Sequence, residues 1–299
     1  MEKYFFAGLL LLAGCGPLAD LREKLEPDLT PPVLQGVRVR GEDLELSFDE
    51  PPRCEPGDIL VEPQLSVGGI EVEETLLRLT LAGQAPGTRY SVELTVCDAQ
   101  GNGLTLITEF YGFNPRVPRL LINEFTPRGS DTHPDLVELK AASGGDLAGV
   151  VLYEGTPLNW DERLIFPALP VAAGEFILVH FKPQGIPAEI DESSVEAKTI
   201  SGGLDASETA YDFWVPAGTG LGGNNGVLSL FNRPGGMLLD GVLYSNRTSA
   251  SDTQYQGFGT AETLERALEL VREGGWKISS ETVRPEDAVS PEGSTGTRS

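Results

Sequence analysis

Apolar and polar residues alternate with period two along much of this chain, and that pattern limits its fold more than any other feature. Leu44, Leu46 and Phe48 alternate in DLELSFDE, Leu77, Leu79 and Leu81 in LLRLTLAG, and Tyr90, Val92, Leu94 and Val96 in TRYSVELTV. Successive side chains of a strand point to opposite faces, so each run buries one face and wets the other. Pro-Pro, Gly-Gly and Pro-Gly turns break the runs at roughly 8 to 12 residue spacing, the mark of antiparallel sandwiches. The pattern restarts at Pro118 with LLINEF, DLVELK, LAGVVLYEG, LIFPALPVAAGEFILVHF, GVLSLFN and MLLDGVLYSN. The expectation is an all-β protein of two tandem β-sandwiches, over residues 33–115 and 118–299.

One segment breaks the rule. In TAETLERALELVREGG, Leu264, Ala267, Leu268 and Val271 fall at helical spacing between Thr260 and the stop at Gly274-Gly275. A short helix is expected there, packed against one end of the second sandwich. Residues 182–218 form an acidic insertion, longer than a normal connection.

The N-terminus carries an address. Lys3 precedes an apolar run from Tyr4 to Ala13, too short for the about 30 Å of a bilayer core and thus a signal h-region. The run ends in Leu12-Ala13-Gly14-Cys15, which resembles the lipobox of bacterial lipoproteins. That resemblance implies removal of residues 1–14, diacylglycerol on the Cys15 sulfur and a fatty acyl chain such as palmitate on its amine. An ordinary secretory signal containing a cysteine is the alternative. Residues 15–32, with Pro17, Pro27, Pro31 and Pro32 among charged residues, read as a tether. Gly16, where a retention signal would place Asp, favours the outer membrane or cell surface.

The net charge of −23, without a run of Lys or Arg, excludes the electrostatic footprint of a nucleic-acid binder. It also leaves membrane affinity to the lipid anchor.

Two resemblances refine the modules. SFDEPP and APGTRYSVELTVCDAQGNGL, within residues 33–115, resemble bacterial Ig-like and fibronectin type III-like modules. Ile122-Asn123-Glu124, Asp135 to Leu139, Asp146 to Gly149, Glu175 to Val179, Gly226 to Leu230, Leu239 to Tyr244, Thr263 to Arg266 and Trp276 together resemble a lamin tail domain. That second resemblance implies an Ig-like sandwich used as an accessory surface or interaction module, sometimes beside nuclease or phosphatase domains. It would also place strands, not a helix, near Thr263 and Trp276.

With Cys15 lipidated, Cys54 and Cys97 remain, and export suggests one disulfide between them. Cys97 has the opposite parity to Tyr90, Val92, Leu94 and Val96, so it lies off the core face. On the Ig-like frame both cysteines fall in loops at the same end, which makes the bridge feasible. Two free thiols are the alternative.

The search for chemistry is negative. His133 and His180 are not spaced as metal ligands and read as structural residues. GTGLGGNNG, residues 218–226, lacks the Gly-Lys-Ser/Thr ending of a phosphate loop and opens a strand. Asp98 and Asn102 read as a turn rather than calcium ligands. The expectation is a protein with no catalytic residues, no metal and no cofactor. Tyr211, Phe213 and Trp214 in the insertion, with Trp160 in an earlier loop, are the candidate binding aromatics. The function expected is a membrane-anchored, non-catalytic envelope lipoprotein that binds an unidentified protein or glycan but no nucleic acid. The alternative is an exported hydrolase of nuclease or phosphoesterase type, or an accessory subunit of one.

Overall fold

The computed structural model of this protein describes residues 28–195 and 197–291, so the signal segment and Cys15 lie outside the described residues. The first sandwich holds β1 (Leu34–Arg40), β2 (Asp43–Phe48), β3 (Ile59–Glu62), β4 (Ser66–Glu73), β5 (Leu76–Ala82), β6 (Arg89–Cys97) and β7 (Gly103–Tyr111). One sheet runs β1-β2-β5-β4 and the other β3-β6-β7, with antiparallel pairing throughout. The alternating residues named above all turn inward. Leu44, Leu46, Leu77, Leu79, Leu81, Val92, Leu94 and Val96 are wholly buried in one cluster with Phe48, Tyr90 and Phe110.

The second sandwich contains β8 (Leu120–Thr126), β9 (Leu136–Ala141), β10 (Gly145–Asp146), β11 (Val151–Thr156), β12 (Asn159–Ile165), β13 (Pro170–Val171), β14 (Phe176–His180), β15 (Tyr211–Trp214), β16 (Asn225–Phe231) and β17 (Leu238–Ser245). Its two main sheets run β12-β11-β16-β17 and β15-β14-β9-β8, while β10 and β13 form a small ribbon. Their inner faces share a core that includes Leu139, Leu152, Phe166, Ile177, Phe213, Leu230 and Tyr244. The acidic insertion has a topological reason. β15 pairs parallel to β14, and a parallel neighbour needs a long crossover.

Helix α1 (Ala261–Arg272) starts as expected, with the Thr260 hydroxyl accepting from Thr263 N at 3.1 Å, and Gly274 beyond it at φ +79°. Its position differs from the expected one. It lies over the outer face of β16 and β17, where Ala267 and Leu270 bury Val227 and Leu243, rather than against an end of the sandwich. Outward apolar residues on two adjacent strands need a cover, and the amphipathic helix supplies it. Arg266 fixes the helix to β12 through two bonds to Asp161, at 2.6 and 2.7 Å.

The sandwiches meet in a polar junction. Asn114 donates to Asp146 O at 2.7 Å and Ala148 O at 3.0 Å. Gly87 approaches Gly149 so closely that a Cβ would stand 2.5 Å from its nitrogen, and its φ of +71° also favours glycine. Arg233, in the β16–β17 turn, donates to Val39 O at 2.8 Å and Gly41 O at 3.4 Å. Burial lowers its pKa from the usual value, and no carboxylate among the described residues compensates.

Candidate functional site

Three carboxylates hold the glycine-rich loop from below. Glu154 on β11 and Glu162 on β12 face one another across the hairpin, a like-charged pair. Glu162 accepts from both the Thr219 N–H and the Thr219 hydroxyl, and Glu154 accepts from Gly222 N at 2.5 Å. Asp135, before β9, accepts from Leu221 N at 2.7 Å and from Gly129 N at 2.5 Å. Gly220 lies at φ +108°, and a Cβ there would meet the Asp135 carboxylate at 2.7 Å. The backbone N–H groups that a phosphate would need are thus taken by the protein's own side chains. The cradle is an anion site already filled from within. Burial pushes the Glu154 carboxyl up to about 7, with Asp161 and Glu162 adding to the shift and the Gly222 N–H and Arg266 opposing it.

A second polar cluster is deeper. His180 Nε2 and Asp212 Oδ1 are 2.7 Å apart, and both side chains are wholly buried. Asp212 Oδ2 accepts from Ser207 N at 2.8 Å. The neighbouring Glu192 accepts from Asp212 N at 3.0 Å, and from Ile200 N and Ser201 N at 2.8 and 3.0 Å. Trp214 stacks on the His180 ring with centroids 3.8 Å apart. This is a mortar between β14, β15 and the crossover that covers them.

The aromatic candidates are corrected by this geometry. Tyr211 and Phe213 point into the sandwich core, and Trp214 lies under the crossover with its Nε1 donating to Ser201 at 3.0 Å. A four-residue strand in a polar insertion has too short a pattern to reveal that both its faces are buried. Trp160 alone remains open, 40% exposed, on β12 of the opposite sheet, with the Arg163 guanidinium 4.4 Å from its ring centroid. The four do not form one site.

Cys54 and Cys97 are free thiols in this structure, not the expected disulfide. Their segments do meet, through mutual backbone bonds between Arg53 and Cys97 at 2.7 and 3.0 Å. The Cys54 thiol, however, packs against the first core and leans toward Glu55 O at 3.8 Å. Burial raises it to about 11, helped by Asp58 and Glu55. Two units above its usual 9.0 mean about a hundredfold less thiolate at neutral pH. Maleimide should therefore label native Cys54 about a hundredfold more slowly than an unstructured cysteine, as peptide mass spectrometry over time will read. Equal rates would disprove the buried placement.

Asp28, Glu50 and Asp98 bring one carboxylate oxygen each within 4.8 Å of one another, a chemistry suited to a hard divalent cation. Desolvation and then Asp98, Asp28 and Asp49 raise Glu50. Burial also pushes Asp98 upward, but bonds from the Asn102 side chain and backbone N–H groups outweigh it and hold its carboxyl low. Asp98 is committed to its turn, as the sequence suggested, accepting from Gln100 N at 2.9 Å and Asn102 N at 2.7 Å. His133, also read as structural, sits exposed beside Asp205 at 2.9 Å.

Sequence reasoning missed one feature. Arg38, Arg40, Arg89, Arg163 and Arg233 line two adjoining clefts, of about 380 and 490 Å³, where β1, β7, β12 and the β16–β17 turn converge. Glu109, bonded to Arg89, is the one carboxylate lining them among the described residues. These arginines are spread over both modules, so no basic run announces them. Only folding gathers them.

Fold and polar clusters together define an all-β protein of two joined sandwiches, with its buried carboxylates spent on its own loops. Residues 118–299 match the TP_1001_2nd family, described as a "protein second domain". That match covers more than half of the chain, and the protein belongs to this family. An uncharacterized protein of Treponema pallidum (strain Nichols) is 30% identical over 181 residues, covering 58% of this chain and 44% of the relative. The chain thus spans less than half the length of that relative.

Proposed function

We propose that this protein is a non-catalytic, lipid-anchored module of the cell envelope, held by acyl chains on Cys15 and displaying two sandwiches for binding at the outer membrane or cell surface. The observation that carries this reading is the internal use of its reactive polar groups. Asp135, Glu154 and Glu162 are bonded to loop N–H groups, and His180, Asp212 and Glu192 to one another and to backbone. A general acid or base must instead reach a substrate proton.

Two details favour an Ig-like reading of the first sandwich. Its strand order, β1-β2-β5-β4 facing β3-β6-β7, matches the A-B-E-D and C-F-G sheets of constant-type immunoglobulin domains. Tyr90, at the start of the sixth strand, accepts from Ala85 N at 2.8 Å, much as a tyrosine corner ties back to upstream backbone. A lamin tail-like role for the second sandwich rests on the sequence fragments alone, and its helix α1 departs from that pattern.

Lipidation is tested by expressing the full chain in a bacterial host with labelled palmitate. The wild type should incorporate label and partition into detergent, while Cys15→Ala should do neither. Equal incorporation by the variant would defeat the anchor. Metal-dependent turnover of nuclease or phosphatase substrates by the pure protein would overturn the non-catalytic reading.

A further inference from the structure

A cleft rich in arginine is out of character for this molecule. The chain carries −23 overall, yet five arginines and one carboxylate line the adjoining clefts where the sandwiches meet. Arg38 makes no ion pair among the described residues. Arg163 sits over the Trp160 ring and bonds to the neutral Tyr153 hydroxyl, so its charge has no carboxylate partner among the described residues. Arg40 is drawn partly toward Glu45 at 3.6 Å, and Arg89 is held by Glu109, while Arg233 is spent on backbone carbonyls. Arg38 and Arg163 are therefore the cations left to a partner. A positive concavity within a negative surface focuses the field on the cleft and selects an anion.

The backbone around the cleft says which kind. β7 is an edge strand nine residues long, with no strand on its outer side among the described residues, and its Thr108 to Tyr111 stretch forms one wall. β1, the edge of the facing sheet, forms the other wall with Val37 to Val39. A bare edge presents main-chain donors and acceptors in strand register, which another extended main chain satisfies best. Both walls also offer apolar contact, from Val37, 41% exposed, and Val39 on β1 and from Tyr111 on β7. An added strand with alternating acidic and apolar side chains would set its carboxylates toward Arg38 and Arg163 and its apolar residues on these surfaces.

We propose that the cleft between β1 and β7 docks an extended acidic polypeptide segment of a partner protein, pairing along β7 and read by Arg38 and Arg163. The inference rests on the display reading above and names its partner class. Trp160 then has a role, since its ring holds the Arg163 guanidinium in place.

The test titrates the full chain in detergent with a short fluorescent peptide of alternating glutamate and valine, with polygalacturonate as the glycan competitor. The peptide should bind, and binding should weaken with added salt. Arg38→Glu and Arg163→Glu should each weaken it by about tenfold or more. Arg119→Glu, an exposed charge reversal away from the cleft, should leave it unchanged. Unaltered melting of the variants would show that folding is intact. No peptide binding by the wild type at low salt would overturn the proposal, as would equal binding by the two cleft variants. Preferential binding of polygalacturonate would overturn it too, placing the partner among glycans. Peptide binding at the cleft does not depend on the anchor, so loss of acylation on Cys15 would defeat the anchor alone, and failure of peptide binding in an acylated protein would defeat this inference alone.

Discussion

Asp212→Ala should destabilise the second sandwich by about 2–6 kcal/mol, because it strands two buried partners, the His180 ring and the Ser207 N–H, and each unsatisfied buried group costs about 1–3 kcal/mol. Asp212 and His180 are both wholly inaccessible to water. The other ring nitrogen, His180 Nδ1, already has no hydrogen-bond partner among the described residues. Truncating Asp212 would leave the whole imidazole unbonded under Trp214 and strip Ser207 N of its acceptor. Asp212→Asn keeps an acceptor in place and should cost less, about 1–3 kcal/mol. The double replacement His180→Phe with Asp212→Val should recover much of the single-variant loss, because neither polar group is then stranded. Urea unfolding of the wild type, His180→Phe, Asp212→Val and their double variant forms the cycle. Additive losses below about 1 kcal/mol each would show that the pair is not buried as described. Since whole domains are stable by only about 5–15 kcal/mol, the single alanine variant should also express poorly.

Such pairs explain what could and could not be read from the residues alone. The inward sets on β2, β5 and β6 were legible because each strand buries one face and wets the other, so period two survives in the sequence. Helix α1 was legible for the matching reason, a stripe at helical spacing between a Thr cap and a glycine stop. β15 was not. Its core-facing Tyr211 and Phe213 alternate with Asp212 and Trp214, which a crossover covers, so a buried carboxylate stands where a solvated one is ordinary. The carboxylate cradle was hidden differently. Asp135, Glu154 and Glu162 are far from Thr219, Leu221 and Gly222 in sequence, and an acidic chain offers many carboxylates without saying which will meet an N–H. The same holds for the arginine cleft, whose members come from β1, β6, β12 and the β16–β17 turn. Local pattern reports burial of a face. It does not report which polar side chains topology will bring together.

Glu154 gives that last point a measurable form in the pH dependence of stability. Its carboxyl is raised to about 7 from an ordinary 4.5, chiefly by burial. A raised carboxyl binds its proton more tightly in the folded state than in the unfolded one. The associated stability is complete below the unfolded value near 4.5 and is lost as pH rises through about 7. The groups facing it act in both directions, and burial decides the sign. Glu162 across the hairpin and Asp161 beside it oppose ionisation, Arg266 favours it, and the buried Tyr244 hydroxyl is itself raised, first by burial and then by Glu154. Glu154→Gln keeps an oxygen for the Gly222 N–H but cannot ionise, so it should match the wild type near pH 4.5. Near pH 8.5 it should be the more stable of the two, by about 3 kcal/mol at most, since each pKa unit is worth about 1.4 kcal/mol. Unfolding free energies of both proteins across that range will decide. Parallel curves would mean that Glu154 is solvated, and the glycine-rich loop would then have to be held by Asp135 and Glu162 alone.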